Sequence, residues 1–154
     1  MSMWISRKRG FTLIELLVVI AIIGILATVS AVSLTGARRR ARDTRRVSDI
    51  QQMRSAMVIY ANQRATYPPG NGLTLGEGAA RCLDDSDEGF KVGSCEGFII
   101  MQRVPREQIP GAPPYLYSRI DSNNYEITFT LEGTVGDLPS GACIARVDNI
   151  ACTP

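Results

Sequence analysis

Phe11-Thr12-Leu13-Ile14-Glu15-Leu16-Leu17-Val18-Val19-Ile20-Ala21-Ile22-Ile23-Gly24-Ile25-Leu26-Ala27 opens an almost wholly apolar run that continues to Leu34, and its reading decides the fold. A helix needs about 20 apolar residues to cross a hydrocarbon core, so the run is long enough to span. A cleavable secretory signal has an apolar stretch of about 7–15 residues followed by a small-residue cleavage site. Here the run is longer, and Thr28-Val29-Ser30-Ala31 lies too deep within it to be that site. One membrane-spanning helix is therefore expected over residues 11–36. Glu15 is its single charge. An ionised carboxylate in a bilayer costs roughly 2.5–3.5 kcal/mol or more, so such a residue is expected to have a partner and a function. No Lys, Arg or His lies between Phe11 and Gly36 to provide one. A new α-amine, made by cutting the chain just before Phe11, would. Arg7-Lys8-Arg9-Gly10 then reads as the end of a leader, residues 1–10, kept on the cytoplasmic side by its charge.

Working outward, the chain has 154 residues, enough for one modest domain besides the span. Its formal net charge of +2 hides a strong asymmetry. Arg38, Arg39, Arg40, Arg42, Arg45 and Arg46 crowd together with only Asp43 among them, whereas from Val47 onward there are 8 basic and 13 acidic side chains. The six arginines read as a solvated helix face that meets lipid headgroups or acidic neighbours. A DNA-binding stripe is the lesser reading: six phosphate-reaching side chains would give salt-dependent affinity, but no aromatic residue is interleaved to stack bases.

The helix is expected to continue past the membrane. No proline or glycine falls between Ala37 and Arg64, and Val47, Ile50, Met53, Met57, Tyr60, Ala61 and Arg64 recur at spacings of three and four. Residues 37–66 thus read as an amphipathic helix, stopped by Tyr67-Pro68-Pro69-Gly70, since proline cannot continue the hydrogen-bond ladder.

Arg9-Gly10-Phe11-Thr12-Leu13-Ile14-Glu15, with the apolar run behind it, resembles the processing and methylation signature of type IV prepilins and type II secretion pseudopilins. Asp49-Ile50-Gln51-Gln52-Met53, Ala56, Tyr60 and Tyr67-Pro68 are similar to the corresponding stretch of major pseudopilins. The resemblance implies cleavage after Gly10 by a prepilin peptidase, N-methylation of Phe11, and pairing of Glu15 with the Phe11 amine of a neighbouring subunit during assembly. It also implies a single-pass inner-membrane protein with its N-terminus inside, handed by inner-membrane assembly machinery into a filament of like subunits. Counting basic residues on either side of the span gives three before and six after, which favours the opposite orientation. The leader motif outweighs that count, because the peptidase site must face inward and a large head translocates despite charge.

Residues 67–154 read as a loop-rich region followed by an antiparallel sheet. Tyr125-Glu126-Ile127-Thr128-Phe129-Thr130-Leu131-Glu132 alternates apolar and polar, the pattern of a half-buried strand. Tyr115 to Ile120 precedes it across the turn-forming Asp121-Ser122-Asn123-Asn124 as a hairpin, and Ala142 to Val147 is a third strand. Gly97 to Val104 reads as a short buried element of undecided type. A small sheet laid across the amphipathic helix buries both apolar faces, giving an α+β fold of the kind the pilin resemblance implies.

Four cysteines, Cys82, Cys95, Cys143 and Cys152, lack the close spacing of a zinc site, and the chain has no histidine. In an exported head they are expected to form disulfides. Three pairings are open, and Cys82–Cys95 with Cys143–Cys152 is favoured because each closes a short local loop. The acidic cluster Asp84-Asp85-Ser86-Asp87-Glu88 raises calcium binding, but it is only a fragment of a calcium loop and reads as a solvated acidic loop. No metal or cofactor is expected. Without histidine, Ser-His and Cys-His chemistries are absent, so a structural role is expected rather than an enzyme. The function classes that stay open are a surface type IV pilus subunit, a type II secretion pseudopilin and a competence pilus subunit.

Overall fold

The computed structural model describes residues 10–153, with backbone only at 30–33. The expected leader lies outside the described residues apart from Gly10. The chain forms two compact units, one up to Arg38 and one, the head, from Arg39 onward. A single helix, α1 (Leu13–Arg64), supplies residues to both.

Among the described side chains of the first unit the large apolar ones are exposed. Leu13 is 82 % exposed, and Ile20, Ile25 and Val29 are each at least 60 % exposed. Exposure of a continuous apolar surface on this scale requires a non-aqueous or protein environment to cover it.

In the head the periodicity of α1 reappears as burial. Ile50, Met53, Ala56, Met57 and Tyr60 are buried, whereas Ser48, Gln52, Ser55 and Asn62 are exposed. The buried side chains meet a five-stranded antiparallel sheet in the order β1-β5-β6-β7-β8. Its members are β1 (Leu73–Thr74), β5 (Leu116–Arg119), β6 (Tyr125–Leu131), β7 (Gly141–Ala145) and β8 (Ile150–Thr153). Strand β6 is the centre: Tyr125, Ile127, Phe129 and Leu131 are buried, and the residues between them are half-buried. Tyr125 meets Tyr67 edge-on at 4.7 Å and stacks on Tyr117 at 6.0 Å, so aromatic packing ties the helix exit to the sheet.

The loop-rich region contains more order than expected. β2 (Cys82–Asp84), β3 (Phe90–Lys91) and β4 (Ile99–Met101) form a second sheet in the order β3-β2-β4. The segment expected as a buried element is β4 and its flanks; Phe98 and Ile99 are exposed and only Val104 is fully buried. Gly89, between β2 and β3, packs closely against the helix and its exit: its φ is 66°, and a Cβ there would sit 2.8 Å from the Pro68 Cβ and 3.0 Å from the Tyr60 ring.

Helix α1 ends on a strained cap. The Ala65 N–H donates to the Ala61 carbonyl at 2.8 Å while Ala65 takes φ of 55°. That left-handed conformation suits glycine, which has no Cβ to clash. Ala65→Gly is expected to stabilise the head by about 0.5–1 kcal/mol in a denaturant titration. A destabilised variant would mean that the Ala65 Cβ contributes more by contact than it costs in strain.

Candidate assembly site

The N-terminus of α1 is built by two side chains. Thr12 precedes the first helical residue, and its N–H and hydroxyl both donate to Glu15 Oε2, at 2.9 and 2.7 Å. The Glu15 N–H donates in return to Thr12 Oγ1 at 3.3 Å. This is a capping box, in which two otherwise unpaired main-chain donors are satisfied reciprocally. Sequence reasoning gave Glu15 no partner in its own chain, although Thr12-x-x-Glu15 carries the capping signal. The carboxylate is thus half engaged: among the described residues Oε1 accepts no hydrogen bond. Deeper in the run, the Thr28 hydroxyl donates to the Ile25 carbonyl at 2.7 Å, which satisfies a polar group without a partner helix.

Gly10 and Phe11 are both exposed, Phe11 at 81 %. A Cβ on Gly10 would meet nothing within 4 Å. Among the described residues nothing therefore demands glycine there.

The arginine run is not one solvated face. Arg38, Arg39 and Arg40 are exposed, but Arg46 is buried, with Nη1 2.8 Å from Asp43, Nη1 2.9 Å from Glu132 and Nε 2.6 Å from Glu107. Arg42 also clasps Glu132, its Nε donating at 2.9 Å and its Nη2 to the second oxygen. Asp43 accepts the main-chain N–H groups of Glu132 and Gly133 at 3.0 and 2.8 Å. Two arginines and three carboxylates thus lock α1 to the end of β6 and to the loop holding Glu107. The sequence hid this because the carboxylates that face Arg46 from outside the helix lie 61 and 86 residues away.

The network titrates in acid. Hydrogen bonds from Arg42 hold the Glu132 carboxyl down to about 2, against an ordinary 4.5, despite the opposing effect of burial. Burial pushes Glu107 up, but its bond and attraction to Arg46 together with the Ile109 and Gln108 N–H groups outweigh that, leaving it below the ordinary value. Both groups bind protons less tightly folded than unfolded, so their contribution is complete above about pH 5 and is lost as pH falls toward 2. Asp49, raised by burial, works in the opposite sense. The head is expected to melt at a lower temperature at pH 3 than at pH 6, with a shallower acid decline in Glu132→Gln. Equal acid slopes in the two proteins would exclude Glu132 as a source.

The remaining residues singled out by sequence are structural here. Cys82 is bonded to Cys95 and Cys143 to Cys152, the latter pair lying directly opposite each other on β7 and β8. The acidic loop is not simply solvated: Asp84 is buried and accepts the Ser86 and Glu96 N–H groups at 3.0 and 3.2 Å. Burial raises its pKa, and these bonds together with the Ser86 hydroxyl lower it below the usual range. Asp85 accepts the Phe98 N–H at 3.2 Å, and Asp87 pairs with Arg64 at 2.9 Å. Among the described residues no group of three or more acidic, cysteine or histidine side chains is arranged to hold a metal.

Comparison with known proteins places the N-terminal segment. Residues 5–31 match the prokaryotic N-terminal methylation motif. The chain is 42 % identical over 62 residues to the type II secretion system core protein G of Pectobacterium carotovorum, a stretch covering 40 % of each protein. It is 40 % identical over 66 residues to the protein of the same name from Escherichia coli, covering 43 % of this chain and 46 % of that one. Over 38 residues it is 67 % identical to the type IV wide pilus major component PilA4 of Thermus thermophilus, covering 25 % of this chain and 29 % of that one. The shared stretch spans less than half the length of each of these relatives. No solved structure matches the chain. The N-terminal part of the chain thus carries the methylation motif and is similar to a type II secretion core protein and to a type IV pilus component.

Proposed function

We propose that the chain is a structural subunit of a type IV pilus or pilus-like filament. Its leader is cut after Gly10 by a prepilin peptidase, Phe11 is N-methylated, and residues 11–36 hold it as a single-pass inner-membrane protein with its N-terminus inside. Inner-membrane assembly machinery then transfers it from lipid into a filament of like subunits, where it is exposed at the cell surface. The observation that carries this reading is the methylation motif set on an apolar helix whose side chains the chain itself leaves uncovered. The role is structural rather than catalytic: the chain has no histidine, and its four cysteines are paired.

The N-terminus tests it. Coexpression with a prepilin peptidase is expected to give a mature chain starting at methylated Phe11, read by mass spectrometry. Gly10→Asp is expected to leave the chain uncut, because a charged side chain blocks the scissile bond while the fold at that position tolerates it. Efficient cleavage of the variant, or a wild-type chain that keeps its leader in the presence of the peptidase, would sink the proposal.

A second reading, a pseudopilin of a type II secretion system, is favoured by the longer reach of the match. The secretion relatives share 62 and 66 residues, and the pilus relative 38. Deleting the gene separates the two: loss of surface filaments or of DNA uptake supports a pilus or competence pilus, and loss of an exported enzyme from the medium supports secretion.

A further inference from the structure

Asparagine is a thermolabile residue. It decomposes when the peptide nitrogen of the next residue reaches its side-chain carbonyl carbon, an approach that a Cβ on that next residue hinders and glycine leaves open. Of Asn62, Asn71, Asn123, Asn124 and Asn149, Asn71 alone is followed by glycine. Asn71 and Gly72 are both exposed, in the turn between the exit of α1 and β1. Gly72 takes φ of 64°, and a Cβ there would meet nothing within 4 Å. The pair is thus open both to internal attack and to water.

A hydroxyl sits on both reacting groups. The Gly72 N–H donates to Ser118 Oγ at 2.9 Å, and the Ser118 hydroxyl donates in turn to Asn71 Oδ1 at 3.3 Å. A serine hydroxyl carries one proton and two lone pairs, so a single side chain makes both bonds at once. Strand pairing fixes the arrangement. Ser118 lies in β5 opposite Glu126 of β6. On one side of Asn71 the Gly70 carbonyl accepts the Arg119 N–H at 2.8 Å, and on the other Leu73 faces Tyr117. Asn71 and Gly72 are therefore held between two points of the same strand that presents Ser118.

We propose that Asn71–Gly72 is a self-modification site, at which Ser118 relays a proton and Asn71 becomes aspartyl or isoaspartyl. The Gly72 nitrogen bonds to Asn71 Cγ. Its proton passes to Ser118 Oγ, whose own proton passes to Asn71 Oδ1, so the addition separates no charge. A peptide nitrogen is a weak nucleophile because resonance engages its lone pair, and removing its proton during the addition offsets that weakness. The Cγ–Nδ2 bond then breaks, the proton on Oδ1 moves to the departing nitrogen, and ammonia leaves a cyclic imide. Water opens the imide at either carbonyl. Both products place a new carboxylate just before β1, and the isoaspartyl link also adds a main-chain carbon ahead of Leu73.

The test incubates the full chain in non-ionic detergent at mildly alkaline pH and follows Asn71 by peptide mass mapping, with isoaspartyl methyltransferase labelling to detect the isomer. A synthetic peptide of residues 67–76 gives the rate without the fold. The folded chain is expected to convert at least about tenfold faster than the peptide, since positioned proton transfer typically contributes about 10²–10⁴-fold. S118A is expected to fall to the peptide rate, and S118T, which keeps the hydroxyl, to stay close to the wild-type rate. Should S118A lose its cooperative melt, the comparison of the folded wild type with the peptide decides. A folded chain that converts no faster than the peptide would overturn the proposal. So would a folded S118A that keeps the wild-type rate, because the hydroxyl would then take no part.

Discussion

Arg46→Leu is expected to destabilise the head by about 3–5 kcal/mol, the range found when one partner of a buried ion network is removed. The Arg46 side chain is 5 % exposed, and its loss leaves Asp43 and Glu107, 1 % and 8 % exposed, with no cation between them. Neither carboxylate can turn to water, so the desolvation already incurred is no longer offset. Chemical denaturation of the detergent-solubilised chain measures the effect. Adding Glu107→Gln to Arg46→Leu should recover part of the loss, because it removes one of the stranded charges. A single-variant cost below about 1 kcal/mol would place the network among ordinary surface pairs.

Glu15→Val is expected to lower filament yield at least tenfold, the factor represented by about 1.4 kcal/mol of subunit affinity, while leaving cleavage after Gly10 intact. Valine removes two things together, the charge and the acceptor that caps α1. Two further variants separate them. Glu15→Gln retains an oxygen for Thr12 but no charge, and should assemble as poorly as valine. Thr12→Val retains the carboxylate and loses part of the cap, typically worth about 0.5–2 kcal/mol, and should still assemble. Normal filaments from Glu15→Gln would show that capping, rather than pairing with a neighbour's amine, is what assembly needs. Quantitative immunoblots of sheared surface filaments give the readout.

The long helix was legible as an apolar run followed by a spacing of three and four, and β6 as seven alternating residues. β2, β3 and β4 were not, since segments of two or three residues separated by glycines carry no period. β8 was not read as a strand, because its order comes from pairing with β7 rather than from its own pattern. Charge was the hardest property to read. Arg42 and Arg46 sit in a run that resembles a solvated face, and only the folded chain brings Glu107 and Glu132 against them. Thr12 was legible in principle. Its pattern with Glu15 is local, but the membrane setting drew attention to the carboxylate and away from the hydroxyl that holds it.

Strand β8 lies at the margin of its sheet, the position from which strands peel. Cys152 is bonded to the residue facing it, so unravelling from the C-terminal side stops almost at once. Thermal fraying loosens Thr153 and little before it while that bond is intact. A reducing medium leaves the four-residue strand held by hydrogen bonds alone. The persistence of β8 therefore depends on the redox state of its surroundings as well as on the size of the core.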